Sequence, residues 1–101
     1  MKKIFQLKQE NKHPDRVIDS IKNEIRKYLK RERKKKLPED AIFWDFDCRF
    51  GQNKEESQIL PASALVNALD SAKEKDWAEC YVEIFAKASY KKEEITDKED
   101  L

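Results

Sequence analysis

Between residues 42 and 50 the apolar side chains Ile42, Trp44, Phe46, Cys48 and Phe50 occupy every second position, with Phe43, Asp45, Asp47 and Arg49 between them. Successive side chains of a strand point to opposite faces, so this period gives one buried face and one largely polar face. A second run repeats it: Ala78, Cys80, Val82, Ile84 and Ala86 alternate with Glu79, Tyr81, Glu83 and Phe85. Two half-buried strands of this kind call for a sheet covered on one side.

The cover is legible as helices. Pro14 and Asp15 suit a first helical turn, because proline lacks only an amide hydrogen that would be unpaired there and the carboxylate favours the positive end of the dipole. His13, the only histidine, precedes them and reads as a helix cap rather than a base. Val17, Ile18, Ile21, Ile25, Tyr28 and Leu29 recur at helical spacing as one apolar stripe. Glu32 falls inside that stripe, which predicts that the helix has outrun the core and projects as a charged rod until Leu37 and Pro38 stop it. Ile4, Phe5 and Leu7 predict a short strand over residues 2–8, and residues 57–60 another after a turn over 51–56. Leu65, Val66, Leu69 and Ala72 predict a second helix running from Pro61 to about Lys75.

The expected fold is therefore α+β, two helices packed on one face of a four-stranded sheet in the order β-α-β-β-α-β. That is the element order of the ferredoxin-like fold. There the second and fourth strands lie at the sheet edges, yet here they are the longest and most apolar, so a sheet with those two central is the alternative.

Length implies one domain, expected over residues 1–90. The tail KKEEITDKEDL, residues 91–101, has little to pack and is expected to be disordered. Cys48 and Cys80 form no CxxC pair and lack companion ligands, so they read as buried reduced thiols and not as a zinc site. No apolar run approaches the roughly 20 residues of a membrane span, and the polar N-terminus does not resemble a signal peptide. A cytoplasmic location is the expectation.

Three segments carry a family resemblance: KYLKRER at residues 27–33, FWDFDCRFG at 43–51 and YVEIFAK at 81–87. They resemble a family of small bacterial proteins classed as a domain of unknown function. The similarity covers most of residues 1–88, and the tail after Tyr90 departs from it. The resemblance implies a compact α+β domain and carries over no catalytic residue.

Charge is unevenly spread along the chain. Residues 1–36 hold fourteen Lys or Arg against five Asp or Glu, while the remainder holds eight against sixteen. Eight of the eleven residues in RKYLKRERKKK, 26–36, are basic. Such a block suits phosphate contacts, and Lys27, Lys30, Arg31, Arg33, Lys34, Lys35 and Lys36 are the candidate nucleic-acid-binding residues. The competing account is a solvated helix end whose cations complement the dipole. A second functional account is a protein-interaction or homodimerisation module that pairs the basic helix with an acidic sheet face.

Other chemistry is poorly supported. Asp45 and Asp47 share a strand face, but two carboxylates make a weak magnesium signal, and the simpler reading has them answered by Arg49 or the basic helix end. A lone Gly51 excludes Gly-rich phosphate loops and dinucleotide fingerprints. No Ser or Cys has a histidine at plausible spacing. Base stacking across the sheet, as in RNA-recognition modules, is opposed by Asp45, Asp47, Glu79 and Glu83. The chain reads as a non-enzyme needing no cofactor and no metal.

Overall fold

The computed structural model describes residues 1–90; the disorder expected for 91–101 lies outside the described residues. Within them are strand β1 (Lys2–Gln6), helix α1 (Pro14–Arg33), strands β2 (Phe43–Gly51) and β3 (Gln58–Pro61), helix α2 (Leu65–Glu74) and strand β4 (Glu79–Ser89). The fold is α+β in the expected order.

Helix α1 begins as its sequence requires. His13 is extended at the N-cap, and its Nδ1 accepts the Asp15 amide N–H at 3.1 Å, satisfying one of the unpaired donors of the first turn. The stripe Val17, Ile18, Ile21, Ile25 and Leu29 is buried along its length. A 3-10 turn, Ala62–Ala64, leads into α2, whose Leu65, Leu69 and Ala72 are fully enclosed. Lys22 pairs with Asp70 at 2.7 Å, and Lys73 pairs with Asp15, so the two helices are joined by ion pairs at their rims.

The sheet order is β1-β4-β2-β3, with every neighbouring pair antiparallel. The ladder between β2 and β4 runs from Phe43 opposite Ser89 to Gly51 opposite Tyr81. The long apolar strands thus occupy the centre and the short ones the edges, which is the alternative arrangement and departs from the ferredoxin-like order. Burial explains it. Phe46, Cys48 and Phe50 of β2, and Cys80, Val82 and Ile84 of β4, all sit in the core beneath the helices with Phe5. Fully burying a side chain such as Val82 or Ile84 stabilises by roughly 1.5–3 kcal/mol, and an edge position would forfeit part of it.

The end of α1 differs from the expected free rod. Glu32 is buried, its residue only 8% exposed, and its carboxylate pairs with Lys35 Nζ at 2.8 Å. Arg33 lies over the Phe46 ring, 5.3 Å from its centroid. Trp44 donates its indole N–H to the Lys35 carbonyl at 2.8 Å. The last turn therefore rests on the first residues of β2. Sequence periodicity marked Glu32 as facing the core but could not show that a lysine three residues later neutralises it there.

Candidate nucleic-acid interface

On a helix, side chains three and four residues apart are neighbours on one face. Lys27, Arg31 and Lys34 consequently form one ridge, opposite the buried stripe. Arg26, Lys30 and Arg33 form a second ridge beside it. At 1.5 Å rise per residue each ridge is roughly 10 Å long. Lys34 follows the last helical residue, and its amide N–H still donates to the Arg31 carbonyl at 3.2 Å, so it continues the helical path.

The seven residues singled out in the sequence differ in what they touch. Lys35 is held by Glu32, as described. Arg31 stacks against Tyr28, 5.4 Å from the ring centroid, and Arg33 against Phe46. Both contacts are with ring faces and leave the guanidinium charge unneutralised. Lys27, Lys30, Lys34 and Lys36 are exposed and have no ion pair among the described residues. Only one of the seven, Lys35, thus meets a carboxylate within residues 1–90. Arg26 was missed as a member of this surface, although its spacing to Lys30 and Arg33 was readable as i, i+4, i+7.

Holding like charges this close is unfavourable, since each i,i+4 pair of cations destabilises a helix by roughly 0.2–0.5 kcal/mol. Their position at the negative end of the helix dipole offsets part of that cost. What remains is a dense positive surface facing solvent.

The opposite side of the sheet is uncovered and carries both signs of charge. Asp47 is answered by Lys87 at 2.9 Å, across the β2–β4 ladder. The hydrogen bond to Asp47 comes first, and its charge second, among the causes that push the Lys87 pKa up. One Asp45 carboxylate oxygen accepts the Phe46 amide N–H at 2.9 Å. Arg49 instead grips the β2–β3 turn, donating from Nε to Ser57 Oγ at 3.1 Å and from Nη2 to the Ser57 carbonyl at 3.0 Å. Hence neither Arg49 nor the basic helix end answers Asp47. Its partner comes from the neighbouring strand, and only strand pairing reveals it. Tyr81 donates its hydroxyl to Glu83 at 2.6 Å, which raises the phenol pKa chiefly through that bond. With Lys2 and Lys87 beside these acids, the face is mixed rather than acidic, and a basic helix has less to dock against than the sequence suggested.

Among the described residues no cluster of three or more His, Cys, Asp or Glu could hold a metal ion, and no helix is long and apolar enough to cross a membrane. A cleft of about 410 Å³ lies between the β1–α1 loop and the end of α2, with Leu7, Pro14, Ile18 and Trp77 in its lining. Two of its lysines, Lys8 and Lys73, are already paired with Asp76 and Asp15. The densest group of cations without an ion pair among the described residues is on the helix tip.

Fold and surface together define a small α+β domain with one helical layer, an open sheet face and a basic helix end. The chain belongs to a family of unknown function, DUF6172, which matches over residues 1–95. That match continues past Tyr90, where the sequence reading had the resemblance ending. No curated protein and no solved structure matches the chain.

Proposed function

We propose that this protein is a non-catalytic nucleic-acid-binding domain that contacts the phosphate backbone through the end of α1. One observation carries the reading: of the seven candidate cations only Lys35 meets an internal carboxylate among the described residues, so six remain available to an external anion. The ridge of Lys27, Arg31 and Lys34, with Arg26, Lys30 and Arg33 beside it, offers a surface matched in length to a short stretch of backbone. Phosphate contacts of this kind act by counterion release, each adding nearly one unit to the dependence of log K on log salt. Four to six of them give roughly micromolar affinity with little sequence preference at moderate salt.

The test is fluorescence anisotropy of labelled DNA and RNA from 25 to 200 mM salt, about an eight-fold range chosen to expose that slope. Binding is expected to weaken steeply with salt. A variant combining Lys27→Gln, Lys30→Gln, Arg31→Gln and Lys34→Gln should lose it, with the thermal melt unchanged or raised. An unmodified protein that ignores DNA, RNA and heparin at the lowest salt overturns the proposal.

The exposed Ile59, Phe85 and Ile4 on the open sheet face support a second reading, a protein-interaction module. Under that reading sedimentation shows self-association that Phe85→Lys abolishes, and nucleic acid is not retained.

A further inference from the structure

On the uncovered face of the sheet, successive outward-facing rungs of the β2–β4 ladder set Arg49 opposite Glu83, Asp47 opposite Phe85, and Asp45 opposite Lys87. The first and last of these rungs each join a cation to a carboxylate, and the signs are exchanged between them. In one rung β2 supplies the cation, and in the other β4 does. Arg49 donates to Ser57 and Glu83 accepts from Tyr81, both neutral partners, so each keeps its charge. Beside them lie exposed apolar groups. Ile59, opposite Arg49 on β3 and 76% exposed, and Phe85, 45% exposed, border a hollow of about 350 Å³ that Asp47, Arg49 and Glu83 complete.

This surface suits neither a polyanion nor a polycation, because Lys2, Arg49 and Lys87 are balanced by Asp45, Asp47 and Glu83. It does suit its own copy. A two-fold axis running along the strands between β2 and β4 lays β4 of one copy over β2 of the other. Glu83 then faces Arg49 and Lys87 faces Asp45, while Phe85 of each copy enters the hollow beside Asp47 in the other. A two-fold axis across the strands would instead set Asp47 against itself. Sheets packed face to face cross at about 30°. One rung from the centre that angle displaces a side chain by roughly 3–4 Å, within the reach of Lys and Arg.

We infer that the uncovered sheet face is a homodimer interface, on which a second copy packs sheet to sheet with β4 over β2. Four strands about 4.8 Å apart and a central strand roughly 30 Å long give a contact burying on the order of 1,000 Å² over both copies, the lower limit for specific association. The dimer is accordingly weak and reversible. Its interface uses none of the helix-tip cations and lies on the other side of the sheet from the helices, so it neither requires nor excludes nucleic-acid binding there.

The experiment is sedimentation equilibrium of the full chain from about 5 to 500 µM, a range that spans micromolar dissociation constants. A monomer–dimer equilibrium is expected. Asp45→Lys and Lys87→Asp, each alone, put like charges face to face across the axis and should weaken association by about ten-fold or more. An equimolar mixture of these two variants should associate about as tightly as the parent, because every substituted side chain then meets its opposite in the other chain. A folding defect in either variant would not be cured by mixing. Ile59→Lys, which lies over Lys2 of the second copy, should also weaken association and leave the thermal melt unchanged. A parent protein that stays monomeric at the highest concentration overturns the inference. So does a mixture that associates no better than its components. Anion binding at the helix tip is read separately by anisotropy, so the failure of one proposal is distinguishable from the failure of the other.

Discussion

Trp44 and Lys35 are joined by an indole N–H to carbonyl hydrogen bond of 2.8 Å, and through it the most basic part of the chain is fastened to β2, a central strand of the sheet. The carbonyl belongs to the second residue past α1, where the chain has left the helix and offers no helical donor. The donor comes from β2. A cationic segment that would repel itself into disorder is thus given a defined position.

Trp44→Phe retains most of the ring packing and removes the donor. The expected cost is about 0.5–1.5 kcal/mol, because water can replace the lost partner at this exposed carbonyl. Urea unfolding measures it. Amide exchange at Lys34 and Lys35 should quicken while the β2–β4 ladder stays protected, and unchanged exchange there would show that other contacts hold the tip.

Glu32 and Lys35 give opposite expectations when replaced singly. Glu32→Leu fills an apolar position and removes a desolvated carboxylate, so stability should hold or rise by about 1 kcal/mol, at the low end for such replacements. Lys35→Ala leaves Glu32 enclosed without its cation. Because Lys35 is half exposed, the loss should be about 1 kcal/mol, well below that of a fully buried pair. Equal effects of the two changes would mean that the pair acts only as surface charge.

Gly51 closes the β2–β3 turn because no side chain fits there. A Cβ at that position would come within 2.6 Å of the Ser57 Cα and 2.8 Å of its amide nitrogen, both backbone atoms. Gly51→Ala must therefore move the turn, displacing the Ser57 groups that Arg49 holds. A destabilisation of at least about 2 kcal/mol is expected from thermal or chemical denaturation.

Cys48 and Cys80 are buried, and burial raises their thiol pKa values from the ordinary 9.0 to about 11 and about 12. Cys48 pairs with Ile84, four residues along β4 from Cys80, placing the two roughly 13 Å apart and beyond disulfide reach. At pH 8 thiol reagents should label neither cysteine until denaturant is added. Raised folded-state values mean that the thiols contribute full stability below pH 9. That contribution falls as the unfolded chain ionises first, between pH 9 and about 12. A flat stability profile across that window would contradict the burial argument.

Much of this architecture was legible because it depends on local periodicity. The alternation at Trp44, Phe46, Cys48 and Phe50 required a half-buried strand, and Val17 to Leu29 required a helix with one apolar side. His13 and Pro14 marked where that helix begins. The length of the basic block was equally plain, as was the lack of histidine and glycine patterns for familiar catalytic sites.

What composition and spacing left open were relations between distant residues. Which strands lie centrally follows from how much apolar area each can bury against the helices, and two strand orders were compatible with the same pattern. The pairing of Asp47 with Lys87, and the shelter of Glu32 beneath its own helix end, depend on register and approach. Amino-acid order determined which segments form strands and helices and where the charge lies along the chain; chain folding alone decided that β2 and β4 lie side by side at the centre of the sheet, because only there can both bury their apolar faces beneath the helices.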